Sequence, residues 1–217
     1  MPRTWLIVEC ITIYVALPLA YRFSPWRVPA LPVLWAVTGY AIWQLSRDFG
    51  FEWGDLWNTA AFRFSLRSIV LFFIPVAAVL WLAVHQWFPE LEWRFARDHP
   101  LFWGLVMLLY PILSVYPQGI LYRAFFLHRY AAFAPDGFSG RWAMILLSAA
   151  AFSFLHIVFR NWIAVVLTFF GGVLFAWRYV ETGSLFTSNV EHALYGCWLF
   201  TVGLGEYFYH GVWPRPK

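Results

Sequence analysis

Charged residues are scarce in this sequence. Asp, Glu, Lys and Arg together make up 12% of its 217 residues, whereas soluble domains carry roughly 25%. Lysine occurs once, at Lys217, the formal net charge is only +4, and no stripe of basic residues occurs. This composition argues against a soluble domain, and we expect no nucleic-acid partner.

Cysteine is rare as well. The two cysteines, Cys10 and Cys197, both lie in apolar stretches, and no Cys-x-x-Cys pair occurs. The sequence therefore contains neither a disulfide framework nor a cysteine-based metal or redox motif. We interpret both residues as small buried hydrophobic side chains.

Long apolar stretches are abundant instead. Hydrophobic residues make up 62% of the sequence, which also contains 15 Trp. Such stretches are typical of transmembrane helices, and Trp favours the membrane interface. We predict spans at residues 5–21, 31–45, 68–88, 101–116, 142–159, 162–179 and 184–204. The predicted fold is an all-α polytopic membrane bundle of about seven to eight helices with a polar intramembrane cavity.

Two segments allow more than one interpretation. Residues 47–67 alternate charged and aromatic residues, which fits an interfacial amphipathic helix and an ordinary polar loop equally well. Residues 101–133 contain Pro111 and Pro117. Because proline removes a helical hydrogen bond, we predict a break at each, with a separate helix at 117–133.

A few polar and ionisable residues fall within the apolar stretches. Since such groups are costly inside a bilayer, they mark a candidate functional site. The positions are Gln118, Arg123, His156, Asn189, Glu191 and His192. Residues four apart share one face of a helix, which places Phe152 beside His156 and Gly119 beside Arg123.

Two imidazoles and an acid can perform hydrolysis. An imidazole can accept a proton from water, and nearby donors can hold the oxyanion that forms when an amide carbonyl is attacked. His156 and His192 with one carboxylate could instead bind Zn²⁺. The alternatives are structural: either histidine can be a hydrogen-bonded core residue, and Arg123 can be an interfacial anchor.

The order and spacing of these residues resemble the CPBP family of intramembrane proteases. This is the CAAX prenyl protease and bacteriocin-processing group, also called the Abi family, which carries Glu-Glu-x-x-x-Arg, Phe-x-x-x-His and His-x-x-x-Asn motifs on separate helices. Here the first motif keeps only Arg123. The second is complete at Phe152 and His156, and the third keeps His192 but has Gly196 in place of Asn.

The resemblance covers roughly residues 100–205. It suggests N-terminal membrane helices and an interfacial segment at 1–99, and a CPBP-like core at 100–217, within one integrated membrane domain. It implies a membrane peptide or protein as substrate and the lipid bilayer as surroundings. We expect an integral membrane protein, located in the bacterial inner (plasma) membrane.

The family chemistry implied by this resemblance relies on glutamate. One Glu and a His activate water, the other His and the Asn stabilise the oxyanion, and the family is described either as glutamic-type, which requires no metal, or as zinc-dependent. This chain has Gln118 and Gly119 at the two glutamate positions, so Arg123 loses its helical partner. We hypothesise that Glu191 either pairs with Arg123 or acts as the base.

The sequence therefore predicts an intramembrane endopeptidase. In this hypothesis the catalytic residues are His156, His192 and Glu191, and the substrate or cavity residues are Gln118, Arg123, Phe152 and Asn189. The metal candidates, if zinc is used, are His156 and His192. One alternative is a catalytically silent relative that binds a membrane peptide or partner protein. Another is a small proton-coupled transporter.

Overall fold

A computed structural model describes residues 3–25 and 28–208, so Lys217 lies outside the described residues. This part of the chain is helical and contains no β-strand. Its helices are α1 (Arg3–Phe23), α2 (Ala30–Ser46), α3 (Ala60–Trp87), α4 (Arg94–Asp98), α5 (Pro100–Arg129), α6 (Phe138–Leu155), α7 (Trp162–Thr182) and α8 (Leu185–Val202). The prediction of an all-α membrane bundle is confirmed.

Five of the described helices are long and apolar enough to cross a bilayer. They are α1, α3, α5, α6 with the 3₁₀ turn that extends it to Phe159, and α7. Their outward-facing side chains are large and apolar, for example Leu71, Leu108 and Phe170, which are more than 60% exposed. Such a surface is stable only against lipid. The protein is therefore an integral membrane protein.

Helix α8, which is not one of these five, has four buried polar residues within five consecutive positions. Ser188, Asn189, Glu191 and His192 are all at most 5% exposed. The helix packs against α3, α5 and α7, so these groups face protein and not lipid. A polar helix at the centre of the bundle is the element that holds the candidate site.

The predicted breaks in α5 are wrong. Pro111 and Pro117 both lie inside one helix, Pro100–Arg129, which contains π-helical turns at Pro111–Val115 and Ile120–Phe125. A π turn shifts the hydrogen-bond pattern by one residue, and this accommodates the N–H that proline lacks. Keeping the backbone bonded is essential inside a bilayer. Gln118 and Arg123 consequently belong to a single continuous helix.

The segment at 47–67 does not form an amphipathic helix. Between α2 and α3 the chain forms only a short 3₁₀ turn, Trp53–Leu56. Helix α3 begins at Ala60, eight residues before the predicted start at Ser68. Phe51 and Leu56 are buried in the core, and Trp57 stacks on Tyr116 of α5 at 4.8 Å between ring centroids. The loop interpretation is therefore correct for residues 47–59.

A buried polar cluster joins α1 and α2 to the end of α5. The carboxylate of Glu9 accepts hydrogen bonds from Arg129 Nε at 3.0 Å, Tyr40 Oη at 2.6 Å, Gln44 Nε2 at 3.0 Å and Tyr130 Oη at 3.2 Å. A buried carboxylate is tolerated when its lone pairs are satisfied in this way. The Glu9 carboxylate is therefore fully hydrogen-bonded. Its partners lie at the C-terminal end of α5, away from the candidate site.

Candidate active site

The turn between α7 and α8 fixes the position of α8. Gly183 has a φ of 55°, a left-handed conformation in which glycine lacks the Cβ clash, and it ends α7. Ser184 then caps α8, because its Oγ accepts the Thr187 N–H at 3.1 Å. The chain reverses within two residues, so α8 lies directly against α7. Asn189 and His192 of α8 also reach α5, and the His192 ring stacks on Phe175 of α7 at 4.5 Å between centroids.

One cavity contains both histidines. It has a volume of about 290 Å³ and is lined mostly by apolar side chains of α3, α7 and α8. Its polar lining comes from Tyr110, Ser114 and Gln118 of α5, Thr168 of α7, Tyr195 and His192 of α8, and His156 at the end of α6. Phe152 lies between the two imidazoles, with ring centroids 4.8 Å from His156 and 5.3 Å from His192. The cavity is thus more apolar than the sequence suggested.

The hydrogen bond of His156 defines its tautomer. Nδ1 lies 2.7 Å from the carbonyl oxygen of Phe152, and a carbonyl can only accept. Nδ1 must therefore carry the hydrogen, which leaves Nε2 with a free lone pair in the neutral ring. The structure thus supplies one proton acceptor at the cavity.

His192 has the opposite tautomer. Its Nδ1 lies 3.3 Å from Nη2 of Arg123, and because a guanidinium has only donors, Nδ1 must accept. Nε2 then carries the hydrogen and faces Tyr110 Oη at 3.5 Å. In the neutral ring His192 is therefore a donor toward the cavity and not a base.

Arg123 lies behind this pair and has no carboxylate partner among the described residues. It is 1% exposed, and its guanidinium lies over the rings of Phe152 at 4.9 Å and Phe175 at 5.2 Å. These cation–π contacts compensate part of its desolvation. Its Nη1 atom and both polar atoms of the Asn189 amide make no hydrogen bond with described residues.

The hypothesis that Glu191 pairs with Arg123 is wrong. Both carboxylate oxygens of Glu191 accept from Arg178, at 2.7 Å and 3.1 Å, and Arg178 also donates to Ser68 at 2.8 Å. Adjacent residues on an α-helix point about 100° apart. Because His192 faces the cavity, Glu191 must face α7 and α3. The structure therefore does not bring Glu191 to the two histidines.

The comparison with protein families bears on the same part of the chain. Residues 97–198 match the family model described as type II CAAX prenyl endopeptidase Rce1-like. The match confirms the resemblance to the CPBP family that the motifs indicated, and this family is one of proteases. No curated protein and no solved structure matches the chain.

Two glycines occupy positions where the CPBP motifs have Glu and Asn, and other side chains fill their space. A Cβ at Gly119, the second glutamate position, would overlap the amide of Asn189. A Cβ at Gly196, the asparagine position, would overlap the ring and hydroxyl of Tyr110. Asn189 therefore occupies the space beside Gly119, and Tyr110 occupies the space beside Gly196.

The residues present do not fit the zinc ion that one description of the family implies. Structural and catalytic zinc sites use three or four protein ligands. Within the described ranges, no group of three or more His, Cys, Asp or Glu side chains is placed to hold a metal. The charge of Arg123 next to His192 would also repel a cation. No step proposed below uses a metal.

Sequence reasoning missed two pairs of residues. Tyr110 and Ser114 line the cavity, and Ser114 accepts a hydrogen bond from Gln118 Nε2 at 2.8 Å. Ser114 and Tyr110 lie four and eight residues before Gln118. This spacing was the available signal, since residues four apart share one helix face. No spacing in the sequence indicated that Arg178 binds Glu191 and Ser68, because only tertiary packing brings these residues together.

Proposed function

We propose that this protein is an intramembrane endopeptidase that cleaves a membrane-associated peptide or protein tail in this cavity. The family match supports the reaction class. The observation that carries the proposal is the pairing of tautomers at one cavity: His156 has an unprotonated Nε2, and His192 has an N–H directed to the Tyr110 hydroxyl on the cavity wall. The proposed location is the inner membrane of a bacterium.

In the proposed reaction His156 takes the role of the absent glutamates. Its Nε2 accepts a proton from water while the water oxygen bonds to the peptide carbonyl carbon. The carbonyl oxygen becomes an oxyanion, and donors on the cavity wall stabilise it. The carbon–nitrogen bond then breaks, and the proton on Nε2 passes to the departing amine. Phe152 supports this role, because its carbonyl oxygen fixes the His156 ring.

Glu191 has a structural role in this proposal. Its oxygens are saturated by Arg178, its side chain is fully buried, and it does not line the cavity. It joins α8 to α7, and through Arg178 to Ser68 of α3. Glu191 thereby helps to hold His192 in place without touching substrate.

A second function is favoured by one specific observation. The side chains that line the cavity include no Asp or Glu among the described residues, and Gln118 cannot accept a proton as a glutamate does. A relative that binds a membrane peptide without cleaving it would have this lining. It would use the same apolar cavity and the same donors.

One experiment separates the two functions. The purified protein in detergent is incubated with a farnesylated peptide that ends in a CAAX tail, and with the same peptide lacking the farnesyl group. Cleavage and binding are measured for the parent, for His156→Ala and for His85→Ala. His85 is the control, because its side chain is 60% exposed and lies outside the cavity.

The endopeptidase proposal expects cleavage by the parent and by His85→Ala, and its loss in His156→Ala. Cleavage that survives in His156→Ala contradicts the proposed base. Binding without cleavage by any variant favours the silent relative.

A further inference from the structure

A chain of hydrogen bonds runs from the buried guanidinium to the cavity wall. Arg123 Nη2 donates to His192 Nδ1 at 3.3 Å, and His192 Nε2 then donates to Tyr110 Oη at 3.5 Å. Since Tyr110 accepts at its oxygen, its own hydrogen is available to another acceptor. Tyr110 makes no other hydrogen bond with the described residues and lines the cavity. Its O–H is therefore the end of the chain that a ligand can reach.

The positive charge at the start of this hydrogen-bond chain has no carboxylate partner among the described residues. The two carboxylates that are buried in this part of the protein, Glu9 and Glu191, are held by Arg129 and Arg178. Arg123 itself contacts aromatic rings and one imidazole, and its Nη1 makes no hydrogen bond with the described residues. Linked hydrogen bonds polarise one another in a low-dielectric interior. A cation at one end makes the final O–H a better donor to a negatively charged oxygen.

The position of Tyr110 agrees with this role. Its hydroxyl and ring occupy the space that a side chain at Gly196 would need, which is where the family motif has asparagine. A neighbouring ring, Phe200, holds the phenol at 5.3 Å between centroids. The phenol thus packs along one face of α8, which places its hydroxyl beside His192.

We propose that Tyr110 Oη binds the anionic oxygen of the ligand at this cavity. During cleavage this is the oxyanion formed from the scissile carbonyl, and after cleavage it is the new C-terminal carboxylate of the apolar product. Tyr110 is then a catalytic residue, while Arg123 and His192 act through it. The inference rests on the proposed endopeptidase function for its catalytic part, and the carboxylate subsite can be measured without any cleavage.

The decisive measurement is the ratio of two dissociation constants. The probe is N-acetyl-S-farnesylcysteine, as the free acid and as the amide, bound at pH 7 to detergent-solubilised protein. The parent should bind the acid at least about tenfold more tightly than the amide, the advantage expected of a charge-assisted hydrogen bond. Tyr110→Phe should remove this preference, because it keeps the ring but loses the hydroxyl.

The matched control is Tyr195→Phe. Tyr195 lines the same cavity, but its Oη is fully buried and lies outside the hydrogen-bond chain. This variant should keep the preference for the acid. In any parent preparation that cleaves peptide, Tyr110→Phe should also lower kcat about 100-fold, as loss of one oxyanion donor does, with KM within about threefold.

The outcomes separate this inference from the proposed function. If the parent cleaves nothing but prefers the acid, and only Tyr110→Phe loses that preference, the subsite stands and the endopeptidase proposal fails. If Tyr110→Phe retains the preference, or if the parent shows none or binds neither probe, the subsite proposal is overturned whatever the cleavage assay gives.

Discussion

At the scale of a residue, Gln118 differs from a glutamate in one atom, and that atom decides whether the side chain can accept a proton. It lines the cavity and donates to Ser114, so its side chain occupies the place and the shape of a glutamate. An amide nitrogen in place of a carboxylate oxygen nevertheless removes the proton acceptor. The only neutral base then left among the polar groups described above is Nε2 of His156.

Restoring this carboxylate should therefore raise the rate of cleavage. Gln118→Glu is nearly isosteric and keeps a partner in Ser114. General-base catalysis contributes 10²- to 10⁴-fold in other enzymes, so we expect an increase of at least about tenfold in the peptide assay. Gln118→Met, which has similar length but no acceptor, is the control. An equal rate in parent and Gln118→Glu would contradict a glutamate-like role for position 118.

Gly119 illustrates the opposite case, a side chain that is absent because another fills its space. Alanine normally stabilises a helix by about 0.5–1 kcal/mol relative to glycine. At position 119 the added Cβ overlaps Asn189, and overpacking costs about 1–3 kcal/mol. We expect Gly119→Ala to lower the free energy of unfolding, and Asn189→Ala in the same chain to restore it.

Gly104 is the control for this prediction. It lies in the same helix, and a Cβ there meets nothing within 4 Å. Thermal unfolding in detergent should show Gly104→Ala as neutral or stabilising, by up to about 1 kcal/mol. If Gly119→Ala behaves like Gly104→Ala, the steric account of the first motif is wrong.

At the scale of helices, two ion pairs of very different burial involve α7. Arg178 and Glu191 are 4% and 0% exposed, whereas Arg141 and Glu181 are 49% and 43% exposed. Removing one partner of a buried pair strands the other charge and costs about 3–5 kcal/mol. An exposed pair is worth at most about 1 kcal/mol. Burial, not distance, sets the difference, since both pairs have a contact of 2.7 Å.

Glu191→Gln should consequently destabilise the protein far more than Glu181→Gln. The expected losses are about 3–5 kcal/mol and less than about 1 kcal/mol, respectively. Unfolding in detergent measures both. The folded fraction of Glu191→Gln should still cleave peptide, because Glu191 does not touch the reacting atoms. A stable Glu191→Gln variant that has lost cleavage would instead restore Glu191 as the base.

The loop before α3 has a pH-dependent contact with the end of α5. Asp48 accepts the Gly50 N–H at 3.0 Å and lies 3.1 Å from His128 Nε2. The Gly50 N–H, followed by the His128 side chain, lowers the pKa of the Asp48 carboxyl below its usual value. A carboxylate with a lowered pKa stabilises the fold above its unfolded pKa of about 3.9, and this stabilisation is lost as the pH falls through the folded value.

We therefore expect Asp48→Asn to lower the unfolding temperature at pH 7 but to have little effect near pH 3. Scans of the parent and the variant at both values measure this. A deficit that is the same at pH 3 and pH 7 would mean that Asp48 acts through packing and not through its charge.

At the scale of the whole molecule, the polar groups lie inside and the apolar surface lies outside. The buried charges Glu9, Arg123, Arg178 and Glu191 are at most 5% exposed, while exposed Trp, Phe and Leu side chains cover α1, α3 and α5. In water this arrangement would aggregate. In a bilayer it satisfies both the lipid and the buried polar groups.

This arrangement predicts direct contact between lipid tails and tryptophan. Trp5, Trp43 and Trp162 are 51%, 51% and 72% exposed, so brominated lipids should quench their fluorescence after reconstitution. Replacing Trp162 with phenylalanine should reduce the quenched fraction. The control is Trp103, which is half-buried and donates to Thr201 at 3.0 Å. Equal loss of quenching on replacing either residue would contradict the proposed lipid-facing surface.

The sequence by itself determined the all-α membrane class and the polar residues that lie within its apolar stretches. Both follow from local properties: apolar runs of sufficient length, and the cost of placing Gln118, Arg123, His156 and His192 in a bilayer. It did not determine which groups become partners. Pro111 and Pro117 predicted breaks that α5 does not have, because the composition does not reveal a π turn that accommodates the missing N–H.

Only the tertiary structure decided the roles of the charged residues. Glu191 and His192 are neighbours in the chain, but their side chains point about 100° apart. In the packed bundle Glu191 therefore pairs with Arg178, and His192 contacts Arg123. The tautomers of His156 and His192 depend on partners supplied by the backbone of α6 and by α5. His156 is thus oriented within its own helix, whereas the tautomer of His192 depends on Arg123 of a different helix. Only the tertiary structure brings this acceptor and this donor to the same cavity.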